Sequence, residues 1–229
     1  MQNNRIDCRE SYESKVKSAR SSNYNILRSL AEFLDNSIEA KAKNIVIKLY
    51  LDNNKNNICY KIILIDDGYG IEDIKSTATH GFTRTRDEEG GGEFGYGYKL
   101  AAINISDKYT MMTKHSNGKY HQSIWNQIDM IRQDTYEPTI CPINKDMFCM
   151  NQSNPLNKQS ETGTVTIFEE LLPQTKSSVN LDNLSRYLEK RYNLFIKEGL
   201  TFDIIINDTL EKSINKNNII DLSSYIVEA

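Results

Sequence analysis

Glycines recur at short spacing in the run Gly92-Glu93-Phe94-Gly95-Tyr96-Gly97-Tyr98-Lys99. With no Cβ to shield them, amide hydrogens in such a run stand open to a bulky anion. The apolar stretch Tyr98–Ile105 that follows reads as a compact helix, and a helix N-terminus adds partial positive charge to those amides. The chemistry predicted is phosphate binding. Neither of the two commonest glycine loops is present, because the GxxxxGK[ST] spacing is missing and no strongly apolar strand leads directly into Gly92.

Upstream, Glu32 and Asn36 lie one helical turn apart, so both side chains leave the same side of a helix. A carboxylate there can orient and deprotonate water. An Asn carbonyl oxygen can serve a magnesium ion held mainly by phosphates, since magnesium takes few protein ligands. An ordinary solvent-facing surface explains the same pair. Asp66 closes an apolar run and is followed by Asp67, Gly68, Tyr69 and Gly70. Its carboxylate can accept from an adenine amino group, with Gly68 and Gly70 leaving room for the flat base; guanine offers a keto oxygen instead. A plain strand-ending turn accounts for Asp and Gly equally well. Thr164, after Gly163, can join a water-mediated network around adenine and Asp66, or simply mark a bend before a strand.

The elements that must position these residues are readable from periodicity. Ile26, Leu27, Leu30, Ala31, Leu34 and Ile38 recur at helical spacing, which predicts an amphipathic helix from about Asn25 to Ala40, with Glu32 and Asn36 opposite the apolar stripe. Ile45, Ile47, Leu49 and Leu51 alternate, and Ile58–Ile65 is a second apolar run, giving a hairpin. Residues 71–80 read as a short helix. Lys108–Lys114 and Lys119–Asn126 flank Asn117-Gly118, a strong hairpin signal. The proline-bearing, polar segment 134–160 reads as an irregular excursion. Beyond it, Gly163–Glu169 reads as a strand, Leu181–Lys197 as a helix and Phe202–Ile206 as a strand. Helices and hairpins grouped in this way, without regular βαβ alternation, favour an α+β sandwich over a doubly wound parallel sheet.

A chain of 229 residues has room for a sizeable core, and we read one domain. A net charge of −3 gives no global attraction for nucleic acid, so any such contact must be local. Cys8, Cys59, Cys141 and Cys149 show no CxxC spacing and are expected as reduced thiols, and His80, His115 and His121 match no zinc pattern. Trp125 is expected to pack rather than stack on a ligand. No apolar run approaches the roughly 18 residues of a membrane span, and no signal-peptide core opens the chain, so an intracellular setting, cytoplasmic or nuclear, is expected.

Taken in order, Glu32-Phe33-Leu34-Asp35-Asn36-Ser37-Ile38-Glu39-Ala40, Asp66-Asp67-Gly68-Tyr69-Gly70, the glycine run 92–99 and Gly163-Thr164 resemble the four motifs of the GHKL superfamily. That superfamily groups gyrase B, the heat-shock chaperone ATPases, sensor histidine kinases and MutL. The resemblance spans about residues 24–168. It is nearest to the MORC-like ATPases, carried by Phe94 before Gly95, Lys99 after Gly97, His80-Gly81-Phe82-Thr83, and Ser123-Ile124-Trp125-Asn126 after a hairpin.

The resemblance implies an α+β Bergerat fold, a two-layer sandwich of a mixed sheet backed by helices with an ATP lid. It implies an N-terminal arm over 1–23 and an ATP-binding domain over 24–229. Residue by residue, it implies Glu32 as general base, Asn36 as magnesium ligand and Asp66 as adenine acceptor, with Gly68, Gly70 and Thr164 around the base. The amides of Gly95, Tyr96, Gly97 and Tyr98 are expected on the phosphates, with Lys99 as a cation beside them. Residues 83–92 are the expected lid, from which Arg84 and Arg86 can reach the γ-phosphate. ATP-dependent homodimers joined through the arms are common in this superfamily, and a Lys or Arg from a following domain or another chain usually completes the site. Slow turnover is therefore expected here. Two other readings stay open, a histidine-kinase catalytic domain and an ATP-gated dimerisation module with little turnover. The client, whether DNA, chromatin or protein, is not named by any motif.

Overall fold

A computed structural model describes residues 11–21, 25–78, 97–116, 118–152 and 162–219. Helix α1 (Tyr12–Ser21) falls within the polar segment 1–23, which reads in sequence as an arm or a short helix, and its Tyr12, Val16 and Ala19 are buried in the main core. Helix α2 (Ile26–Glu39) starts at Asn25, whose side chain accepts from the Arg28 amide at 2.8 Å and so satisfies one of the orphan donors of a helix start. Its apolar face buries Ile26, Leu30, Ala31 and Leu34, as the periodicity predicts, and Phe33 beside them.

Strands β1 (Asn44–Asp52) and β2 (Ile58–Asp66) form the predicted hairpin, with Ile45 opposite Asp66. In place of the helix expected over 71–80 there is one short 3-10 turn, Ile74–Thr77, capped by Asp73. Helix α3 (Gly97–Ile105) leads into β3 (Ser106–Lys114), which pairs with β4 (Tyr120–Asn126) as the Asn-Gly signal predicts. Helix α4 (Gln127–Gln133), unread in the sequence, is capped by the Asn126 side chain. Then come β5 (Thr139–Pro142), α5 (Lys145–Gln152), β6 (Gly163–Leu171) and α6 (Pro173–Ser178). Helices α7 (Leu181–Arg191) and α8 (Asn193–Lys197) replace the single helix expected over 181–197, with the break at Tyr192. Strands β7 (Thr201–Ile206) and β8 (Thr209–Ile214) follow.

The strands form one sheet in the order β5-β4-β3-β6-β2-β1-β7-β8, antiparallel except for β1 beside β7. Alternation sends Ile45, Ile47 and Leu49 to the helix-covered face, where they meet α1, α2, α3, α7 and α8 residues in the larger core. Val46, Ile63, Ile65, Met112, Val165, Ile167 and Ile205 form a second buried cluster that includes Phe148 of α5. Burial on both faces is why Ile62–Ile65 reads as an unbroken apolar run. The segment 134–160, expected to be irregular, thus contributes an edge strand and a helix. Thr139–Pro142 is too short and proline-rich to show alternation, and Pro142 is tolerated because β5 is the sheet's edge. The architecture is α+β, a mixed sheet with its principal helices on one face.

Candidate functional site

The last residue of β2 is Asp66, whose carboxylate is buried at the junction of β2, β6 and the end of α2. Its Oδ1 accepts from the Gly68 amide at 3.0 Å, and its Oδ2 accepts from the Ser37 hydroxyl at 3.0 Å. The Thr164 amide donates to it as well, from the residue that faces Asp66 across the β2–β6 ladder. Burial pushes the Asp66 carboxyl up to about 6; the amides and the hydroxyl restrain that rise, and the neighbouring Asp67 charge adds to it. Gly163 permits this close approach. Its φ is +145°, and a Cβ there would lie 2.2 Å from the Asp66 carbonyl oxygen.

The rest of the Asp66–Gly70 run is fixed by short local bonds. Asp67 has a different task from Asp66: its carboxylate accepts from the amides of Lys43 and Asn44 at 2.7 and 2.9 Å and ties down the start of β1. The Tyr69 amide donates to Ala40, the C-cap of α2, at 3.0 Å, and Gly68 accepts from the Thr162 hydroxyl at 2.7 Å. Gly70 lies against the carbonyl of Lys114 at the end of β3. Asn36 therefore stands one residue before Ser37, which touches the Asp66 carboxylate.

One turn earlier on α2, the half-buried Glu32 meets the start of α3. A Cβ on Gly97 would come within 2.2 Å of Glu32 Oε2, so the carboxylate rests directly over this first residue of the helix, and a larger residue there would turn the flexible Glu32 side chain aside. Tyr98 braces the contact from the other side, donating to the Thr77 carbonyl at 2.6 Å and meeting the Phe33 ring edge-on at 6.0 Å. The structure thus sets Gly97 against Glu32, and Asp66 with Gly68 and Thr164 against Ser37 on the buried face of the same helix, on which Asn36 is exposed. Gly95, Tyr96, Arg84, Arg86 and the expected lid 83–92 lie outside the described residues.

A family model for the histidine kinase-, DNA gyrase B- and HSP90-like ATPases matches residues 24–162. That span is more than half of the chain. The chain belongs to this GHKL ATPase family. The mixed sheet with its helical layer is the family's Bergerat fold, and membership supports ATP binding. No curated protein matches the chain. The matched span of the GHKL domain contains Glu32, Asn36, Asp66 and Gly97, whereas Thr164 lies just beyond it.

Lys99, the expected phosphate cation, turns within this GHKL domain into a small cavity that it lines with Tyr12, Lys15, Trp125, Gln127 and Tyr136. Its ammonium is 6.0 Å from the Trp125 ring centre, and burial first, then the Lys15 charge, pull its pKa down to about 8. Trp125 stacks on Tyr109 at 5.5 Å, in keeping with a packing role. Sequence reasoning assigned no role to Ser37. Its position on the apolar face of α2 was the available signal, because a hydroxyl buried there must find a partner. Among the described residues no helix is long and apolar enough to cross a membrane.

Proposed function

We propose that the domain binds ATP with magnesium across α2, the β2–β6 strand ends and the start of α3, and hydrolyses it as a MORC-like nucleotide-controlled clamp or switch. One observation carries this reading: α2 touches both halves of the site, with Glu32 against Gly97 and Ser37 against Asp66. A single rigid helix therefore sets the distance between the base pocket and the phosphate loop.

The residues suit the group they would hold. The Asp66 carboxylate, fixed by Gly68, Ser37 and Thr164, presents an acceptor to an exocyclic amine and disfavours a keto oxygen. The Gly97 and Tyr98 amides open α3, where the helix dipole favours an anion. Lys99 would add positive charge by leaving its cavity. Asn36 offers a neutral oxygen from an exposed position, in line with magnesium's preference for few protein ligands. Magnesium, bound with ATP, neutralises charge on the phosphoryl oxygens. Glu32 orients and deprotonates the attacking water at Oε2, the oxygen already directed at the α3 start.

Calorimetry with ATP and GTP, each with and without magnesium, tests the reading. ATP should bind, magnesium should tighten it, and GTP should bind much more weakly. Equal affinities for ATP and GTP would remove the adenine role of Asp66. With labelled ATP, release of free phosphate identifies a hydrolase, and label on a protein histidine identifies a kinase.

A further inference from the structure

Asp35 stands between Glu32 and Asn36 on α2, and both of its carboxylate oxygens are held by the end of α7. Arg191 Nη2 donates to Oδ2 at 2.7 Å, and the Tyr192 hydroxyl donates to Oδ1 at 2.8 Å. The same hydroxyl accepts from Arg191 Nε at 3.2 Å and lies 3.4 Å from the Ala31 carbonyl oxygen. Ala31 and Asp35 are one helical turn apart, and each immediately precedes one of the two residues assigned to the chemistry.

The geometry is more than a surface ion pair. Arg191 and Asp35 are partly exposed, and such a pair alone is worth little. Tyr192, however, is only 2% exposed and packs its ring 5.3 Å from Phe202 of β7, so its hydroxyl is anchored to the sheet. The break between α7 and α8 falls at this residue. One turn before Arg191, burial raises the pKa of Tyr187, and the charges of Arg191, Asp35, Arg28 and Glu32 act on it as well.

We propose that Asp35, Arg191 and Tyr192 are positioning residues that fix the rotation of α2 about its axis and thereby aim Glu32 and Asn36 at the phosphate site. This rests on the roles given to Glu32 and Asn36 above. A small rotation shifts Ser37 as well, but Asp66 keeps its place at the end of β2 with the Gly68 amide on it, whereas Glu32 is carried off line, and misplacement of about 1 Å costs up to about a hundredfold in rate.

The variants are Tyr192→Phe, which keeps the ring and removes the hydroxyl, Arg191→Gln, and Arg191→Lys. Four quantities are read: adenosine affinity, the gain in affinity for a non-hydrolysable ATP analogue on adding magnesium, phosphate-release kinetics, and melting temperature. For Tyr192→Phe and Arg191→Gln, kcat should fall about tenfold, and KM for ATP with magnesium should rise about fivefold. The magnesium gain should shrink about fivefold, while adenosine affinity and melting temperature hold. Arg191→Lys, which retains the charge, should recover part of the loss. An unchanged magnesium gain together with an unchanged kcat overturns the proposal. So does a loss shared equally by adenosine affinity, kcat and melting temperature, since that is the mark of general loosening. If the unaltered chain binds neither adenosine nor the analogue, the ATP reading fails and the positioning role falls with it. If it binds both without turnover, the magnesium gain alone decides.

Discussion

The Asp66 carboxylate is held at a strand end by backbone amides and a buried hydroxyl, whereas Glu32 and Asn36 project from a helix, α2. The proposed base end is part of the sheet. The proposed phosphate end is the surface of a helix, with Gly97 against Glu32 and the Asp35–Arg191–Tyr192 contacts beside it. This contrast teaches that recognition and chemistry are separable here. In the proposed reading, the groups that would select the base are preorganised by β-ladder geometry, while those that would act on the phosphate depend on the placement of one helix.

The separation predicts that Glu32→Ala will abolish one property and spare the other. Removing a general base typically costs about 10²- to 10⁴-fold, and phosphate release should fall by that order. Adenosine affinity should stay within about twofold, because Glu32 makes no contact in the reading of the base pocket. Steady-state phosphate release beside calorimetry checks both halves, and normal hydrolysis by this variant would strip Glu32 of its role.

Asp66→Asn is the complementary change at the other end. The amide keeps the shape but turns an acceptor into a group that also donates, against a ligand amine that itself donates. Loss of a buried charged partner costs about 2–5 kcal/mol, so ATP affinity should drop on the order of a hundredfold. Unchanged affinity by calorimetry would place the base elsewhere.

Gly163→Ala probes the ladder that supports Asp66 rather than the carboxylate itself. The new Cβ would sit 2.2 Å from the Asp66 carbonyl oxygen, at a φ of +145° that L side chains rarely adopt. A destabilisation of about 2–4 kcal/mol is expected from the clash and the backbone strain together. Urea titration measures it, and a variant as stable as the parent would show that β6 can shift without cost.

The two ends also differ in how far the sequence betrayed them. Glu32 with Asn36, Asp66 at the end of an apolar run, and the glycine opening α3 are local patterns, and each was legible because spacing along one element sets its geometry. Nothing local pointed to Arg191, which pairs with Asp35 across 156 positions and reads in sequence as one more charge on a helix face. The helix break at Tyr192 has no Gly or Pro to announce it. Its hydroxyl is held by α2, so the break belongs to tertiary contacts. Phe148 was hidden for a related reason: a single buried ring in a polar helix gives no period to detect. Six of the eight described strands were foreseen, because two hairpins and the β6 alternation are encoded in adjacent residues, whereas β5 and β8, the two edge strands, were not read.

Ser37→Ala has the smallest expected effect and joins the two ends, since Ser37 belongs to the helix of Glu32 but bonds the carboxylate of the base pocket. Asp66 has a folded pKa of about 6 against an ordinary 3.8. A raised carboxylate pKa means that this group adds to stability at low pH and that the contribution is lost as pH rises through about 6. Adenosine binding should run the opposite way, weakening as pH falls through the same range, because the amine needs the ionised form. Adenosine is the right probe, since phosphate groups titrate near pH 6 themselves. Deleting the Ser37 hydroxyl removes one of the donors that favours the charged carboxylate, so the midpoint of the binding curve should move to higher pH. At neutral pH the loss in affinity should be only about threefold, the weight of one modest hydrogen bond. A midpoint that stays in place would mean that Ser37 only fastens α2 to the sheet and leaves the ionisation of Asp66 to its amides.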